Sequence, residues 1–244
     1  MSDLTQSLQA PRSVGIERGA SWITEAFGLF KPDAFSWIGA CLIFLVICVV
    51  LSLIPIIGPI VLNLLMTVFM GGLIAGTHAR HEGGEFTVNH LFAGFSKNTG
   101  QLLTVSVLYL VGFIVIMIVM VLLAFLTPMG VGMFQQMEHG DPQMMKNLTA
   151  VLLMVLIMLA LYLPLVMAYW FAPALVILND VSPLTAMKMS FKACLLNILP
   201  FLLYGIIALV LTIIGTIPLG LGMLVVGPML MISVYTAYRD IFVY

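Results

Sequence analysis

The chain has 244 residues, 62% of them apolar and 8% charged, with a formal net charge of −1. An ordinary soluble domain carries about 25% charged residues, so a water-soluble globule of this length is excluded and the bilayer becomes the expected solvent. The near-neutral balance also excludes a nucleic-acid binder, which needs a concentrated basic face.

In chain order, residues 1–15 read as a polar tail and 16–244 as one all-α transmembrane domain. The first 30 residues lack the basic start, short apolar run and small-residue cleavage site of a secretory signal, so the amino terminus is expected to be retained. Segment 16–31 reads as an interfacial amphipathic helix, with Trp22, Ile23, Ala26, Phe27 and Phe30 on one face. Crossing about 30 Å of hydrocarbon takes roughly 20 apolar residues. Six stretches qualify, at about 34–54, 56–77, 101–127, 148–178, 198–217 and 219–238, and they pair into three hairpins. The outer turns of the first and third hairpins, Ile54-Pro55-Ile56-Ile57-Gly58-Pro59 and Ile217-Pro218-Leu219-Gly220, carry the proline and glycine of tight reversals. The central hairpin has longer spans and a polar outer segment, 128–147, rich in methionine and containing Glu138, His139, Asp141 and Lys146. Two further interfacial segments are expected at Leu91, Phe92 and Phe95 after Thr87, and over 182–196, where Ser182 caps, Pro183 opens the helix and Leu184, Met187, Phe191 and Leu195 form a stripe.

Of nine cationic residues, eight fall on one side of this arrangement and only Lys146 on the other, so the positive-inside rule places both termini in the cytosol. A repeat runs through the same side: Phe27, Phe92 and Phe191 are each followed six positions later by Asp33, Asn98 or Asn197. Each of these lies just before an outward-running span, where a side-chain oxygen caps the open amides of a helix start. Arg80, Lys188, Lys192 and Arg239 stand at the inner-leaflet level and are candidate contacts for lipid headgroups.

No sequence signature of a catalytic centre or cofactor site occurs, so no catalytic, cofactor-binding or metal-binding residue is assigned. His78, His81 and His90 have weak metal-ligand spacing beside Arg80 and read as solvated. Met129, Met133 and Met137 suit either an amphipathic helix or a Cu(I) site. Asn63 and Thr67, one turn apart in the second span, either line a polar path together with a break at Pro164 or hold helices together by hydrogen bonds. Gly72 and Gly76 suit close helix packing. Three functions follow: a non-catalytic envelope helper contacting membrane lipids or membrane-protein partners; a small-solute permease or channel; or an interfacial lipid-modifying enzyme, which would bring acids and histidines together, for example Glu82 or Asp180 beside His78.

The segments Leu91-Phe92-Ala93-Gly94-Phe95, Trp170-Phe171-Ala172-Pro173-Ala174-Leu175-Val176, Ser190-Phe191-Lys192-Ala193-Cys194 and the closing Tyr238-Arg239-Asp240-Ile241-Phe242 resemble a family of uncharacterised proteobacterial inner-membrane proteins. More distantly, the hairpin plan is similar to the membrane domain fused to some glycerophosphodiester phosphodiesterases. The resemblance implies six helices in a bacterial inner membrane and carries over no catalytic residue.

Overall fold

The computed structural model describes residues 8–126 and 144–244, and most of the methionine-rich outer segment lies outside them. The described residues are helical and contain no strand. We number the α-helices α1 (Arg18–Phe30), α2 (Ala34–Ser52), α3 (Ile57–His81), α4 (Thr99–Leu126), α5 (Met144–Trp170), α6 (Ala172–Asn179), α7 (Pro183–Leu196), α8 (Ile198–Thr216) and α9 (Met223–Phe242). Short 3-10 turns at Lys31–Asp33 and Val88–Phe95 join α1 to α2 and lead toward α4.

Among the described residues, five stretches are long and apolar enough to cross a membrane: Arg18–Ser52, Ile57–His81, Thr99–Phe125, Val151–Asn179 and Ile198–Thr216. The sixth predicted span differs from the helix observed. Positions 219–222 belong to the turn, where Leu219 and Gly220 take φ of 53° and 80°, and α9 runs from Met223 to Phe242. It falls outside the membrane-capable set because its last turns hold Tyr235, Thr236, Tyr238, Arg239 and Asp240.

The expected break at Pro164 is also corrected: α5 continues through Pro164 to Trp170. The interruption comes at Phe171, and Pro173 sits in the first turn of α6. In an unbroken helix the Phe171 amide would bond to the Met167 carbonyl. Here the Ser190 hydroxyl stands between them, accepting from Phe171 N–H at 2.9 Å and donating to Met167 O at 2.6 Å. A side chain inserted into the ladder is a recognised cause of a sharp helix break.

The chain divides into two compact units. The first contains residues 8–107 and 167–244. Its core joins Ala26, Phe30, Trp37, Phe69, Leu73, Phe86, Leu91 and Ile232, with Trp37 stacked on Phe86 at 3.7 Å between centroids. α6 is buried from Ala172 to Ile177, as an element apolar all round must be when it lies inside a protein. Close packing of the 3-10 turn Val88–Phe95 on α3 depends on glycine: a Cβ at Gly72 would stand 2.5 Å from the His90 carbonyl oxygen, and one at Gly94 2.0 Å from that of Val68. The α3 glycines thus receive this turn.

In α1, Trp22, Ile23, Ala26 and Phe30 are buried as expected, whereas Phe27 is exposed. In α7 the expected stripe is displaced. Leu184 and Leu195 are exposed, and the buried face is Ala186, Met187, Ser190, Ala193 and Cys194, because Ser190 must reach the break in the neighbouring helix.

The second unit, 108–166, consists of the adjoining parts of α4 and α5. Tyr109 and Tyr162 hydroxyls share a hydrogen bond at 2.7 Å, and a Cβ at Gly112 would meet Leu165 Cδ1 at 2.7 Å.

Candidate functional site

A helix that ends leaves its last carbonyls without intrahelical partners and concentrates partial negative charge there. At the end of α9 both are answered from the opposite end of the sequence. Gln9 N–H donates to Phe242 O at 3.0 Å, Arg12 N–H to Ile241 O at 3.1 Å and Arg12 Nε to Asp240 O at 2.8 Å. The Arg12 guanidinium also lies 4.3 Å from the centre of the Tyr244 ring. The neighbouring end of α7 is treated alike, with Ser13 Oγ donating to Leu196 O at 3.2 Å. Residues 9–14, read from sequence as part of a tail, are therefore docked.

Asp240 is the hub of this region. Its carboxylate accepts from Arg12 Nη2 at 3.0 Å, Trp22 Nε1 at 2.9 Å and Arg18 Nε, while Arg18 Nη2 donates to Glu25 at 3.0 Å. Burial alone would push the Asp240 carboxyl up. The hydrogen bonds from Arg18, Trp22 and Arg12, with the Arg18 charge, outweigh it and hold the group below the usual carboxylate range.

Beside Asp240, Arg239 Nη1 donates to His81 Nε2, and His81 Nδ1 lies 3.3 Å from Glu82. An arginine only donates, so Nε2 is the acceptor in this contact. Arg239 Nε is shielded from solvent and has no hydrogen-bond partner among the described residues. The polar groups of the preceding turns face protein: Thr236 Oγ1 donates to Trp22 O at 2.8 Å, His78 Nδ1 and Tyr235 OH lie 2.9 Å apart, and Tyr238 OH donates to Asn179. Together Arg12, Arg18, Glu25, His81, Arg239 and Asp240 line an open cleft of about 460 Å³.

The four candidate headgroup cations separate into two kinds. Lys188 and Lys192 are exposed on α7. Arg80 lies 3.4 Å from Asp33 through Nε and donates to Gly84 O at 3.0 Å, so it holds a connection in place, and Arg239 lines the cleft.

The expected caps require correction. Asp33 and Asn197 do occupy the positions before α2 and α8, yet neither side chain bonds its own helix start. Asp33 accepts from Phe86 N–H at 2.9 Å; Asn197 accepts from Val14 N–H at 2.9 Å and donates to Arg12 O at 2.9 Å. Asn98 Nδ2 donates to Val176 O at 2.8 Å and to Asp180. Each reaches a buried or part-buried backbone group of a distant segment, where an unmade bond would cost more than at a helix start open to water.

Of the expected polar path, Asn63 is exposed, whereas Thr67 is buried and its hydroxyl bonds Ser106 at 2.5 Å and Tyr169 at 2.9 Å. Pro164 is exposed within the second unit. Asn63 and Thr67 thus face different surroundings, and Thr67 acts as helix-joining glue.

Sequence reasoning missed the site formed by Arg12, Arg18, Trp22, His81 and Asp240. The available signal was an acid adjoining Arg239 in a chain with so few charges, since an Asp at a helix carboxyl end opposes the macrodipole unless cations answer it.

Comparison with known proteins places the chain beside one from Burkholderia thailandensis that carries the name "Probable inner membrane protein". The two are 26% identical over 198 residues, covering 80% of this chain and 73% of that protein. No family model matches the chain. No solved structure matches it either.

Proposed function

We propose that the chain is a six-pass protein of the bacterial inner membrane, arranged as three hairpins with both ends in the cytosol, that acts without catalysis by contacting lipid headgroups or membrane-protein partners. The observation that carries the topology is the bonding of residues 9–12 to the end of α9. Ends that meet on one face require an even number of crossings. Adding α9 to the five membrane-capable stretches supplies the sixth, its polar last turns being bonded within protein rather than bare to lipid. The sidedness of the basic residues argues for the cytosol, and the name of the Burkholderia relative accords with an inner membrane. Fusion reporters that placed residue 1 and residue 244 in opposite compartments would overturn the topology.

The contact reading rests on Lys188 and Lys192, two exposed cations one helical turn apart on α7. A Lys near an anionic leaflet contributes about 1 kcal/mol, so neutralising both should lower retention of anionic lipid roughly thirtyfold. The measurement is co-purifying lipid and captured partners for K188Q/K192Q and for the fourfold variant that adds R80Q and R239Q. Unchanged association in the fourfold variant would end the contact reading. The permease reading gains nothing from Thr67, whose hydroxyl is already engaged inside the protein.

A further inference from the structure

We infer that the cleft at the end of α9 binds a phosphate group, carried by a phospholipid headgroup or free in the cytosol, with Arg239 as its principal contact. The inference deepens the headgroup reading above and rests on it for the choice between those two sources.

The arginines of the cleft are not all paired with carboxylates. Arg12 and Arg18 are answered by Asp240 and Glu25. Arg239 has no carboxylate within ion-pair distance among the described residues; His81 accepts from it through a ring nitrogen and brings no negative charge. Its Nε–H has no acceptor among the described residues. A guanidinium presents its N–H groups as a planar fork that matches the oxygens of phosphate, where a lysine offers only a point charge. Asp240, the acid nearest to hand, is already bonded by two arginines and an indole, so its charge is largely cancelled against an incoming anion.

The surroundings indicate the kind of phosphate. The cleft also includes Leu29 of α1 and Val243 beyond α9, giving it an apolar edge. α1 opens the membrane-capable stretch Arg18–Ser52, so the cleft lies at the level where a chain leaves the hydrocarbon. At that level a phosphodiester attached to acyl chains can seat its charge on Arg239 and leave its glycerol against Leu29. Volume is sufficient, since about 460 Å³ exceeds what a bare phosphate fills.

The test uses the full-length protein in a neutral maltoside detergent, titrated calorimetrically with inorganic phosphate in one arm and dihexanoyl-phosphatidylglycerol in the other. We expect saturable binding, weakened at least tenfold by R239Q and weakened less by R239K. Saturation by the lipid alone assigns the headgroup, and saturation by phosphate in both forms assigns the free anion as a ligand too. A second readout needs no variant: either bound probe should protect Arg239 of the native chain from phenylglyoxal, detected by mass spectrometry. Absence of saturable binding in both arms, full binding by R239Q, or an unprotected Arg239 would each overturn the inference. If Arg239 is unprotected while lipid retention still depends on Lys188 and Lys192, only the cleft falls; if Arg239 is protected and the lysines are dispensable, only the lysine contact falls.

Discussion

α3 and the helices of the second unit are all apolar enough to span a bilayer, yet they are used in opposite ways. Within the most apolar window of Ile57–His81, 44% of residues are buried inside the protein, against 6% for Thr99–Phe125. Apolarity does not select the buried helix. In lipid, a leucine gains little by leaving acyl chains for other side chains, so close approach and hydrogen bonding decide which helix goes inside. α3 supplies both, through Gly72 against a neighbouring carbonyl and Thr67 bonded to Ser106 and Tyr169. The second unit offers the tyrosine pair, the edge-on Phe113–Tyr162 contact and the Gly112 contact, and shows lipid-suited surface such as Val111, Ile114, Val115 and Ile118.

Polar interactions of the first unit should therefore outweigh those of the second. The largest effect is expected at Asp240. Removing one partner of a buried ion pair costs about 3–5 kcal/mol, and the part-exposed arginines bring the expectation for Asp240→Asn to roughly 2–3 kcal/mol. Thermal unfolding in detergent measures it, and susceptibility of residues 9–14 to protease should rise in parallel. A melting curve indistinguishable from that of the native chain would remove Asp240 as the hub.

Next comes Gly72. Adding a side chain 2.5 Å from the His90 carbonyl overpacks the junction of α3 with the 3-10 turn, so Gly72→Val should cost about 1–3 kcal/mol. Gly100, with nothing within 4 Å of a built Cβ, is the control and should tolerate alanine.

Ser190→Ala tests the inserted hydroxyl. Leaving the Phe171 amide and Met167 carbonyl without it should cost about 1–2 kcal/mol. Should α5 and α6 instead merge into one helix, stability would be nearly unchanged and crosslinks between α6 and α3 would be lost, which separates insertion as cause from insertion as consequence.

The smallest effect belongs to the second unit. Tyr109→Phe removes one hydroxyl of the pair with Tyr162, and bonds of this kind in membranes average about 0.6 kcal/mol. A loss equal to that of Asp240→Asn would break the comparison between the units.

Acidity sharpens the comparison further. The folded Asp240 carboxyl titrates below its ordinary value of about 3.9, so its contribution is complete above that pH and disappears as pH falls through the folded value. The stability gap between the native chain and Asp240→Asn should accordingly stay constant near neutrality and close only in strong acid, whereas the gap for Tyr109→Phe should show no such dependence.

The sequence by itself determined the solvent and the positions of most helices. Span length follows from hydrocarbon thickness, and the reversals at Ile56 and at Leu219-Gly220 coincide with left-handed backbone beside proline, a local requirement visible in the residues themselves. It also placed Asp33, Asn98 and Asn197 at helix beginnings. Only the tertiary structure decided what their side chains bond, because a donor 53 residues away from Asp33 or 183 from Asn197 becomes available only after helices pack. The same reason hid the cleft: Arg12 and Asp240 are 228 residues apart, and nothing local in either neighbourhood announces the other. Hydrophobic patterning acts over one helix at a time and is legible in one dimension, whereas pairing of scarce polar groups in a dry interior depends on which helix ends the fold brings together.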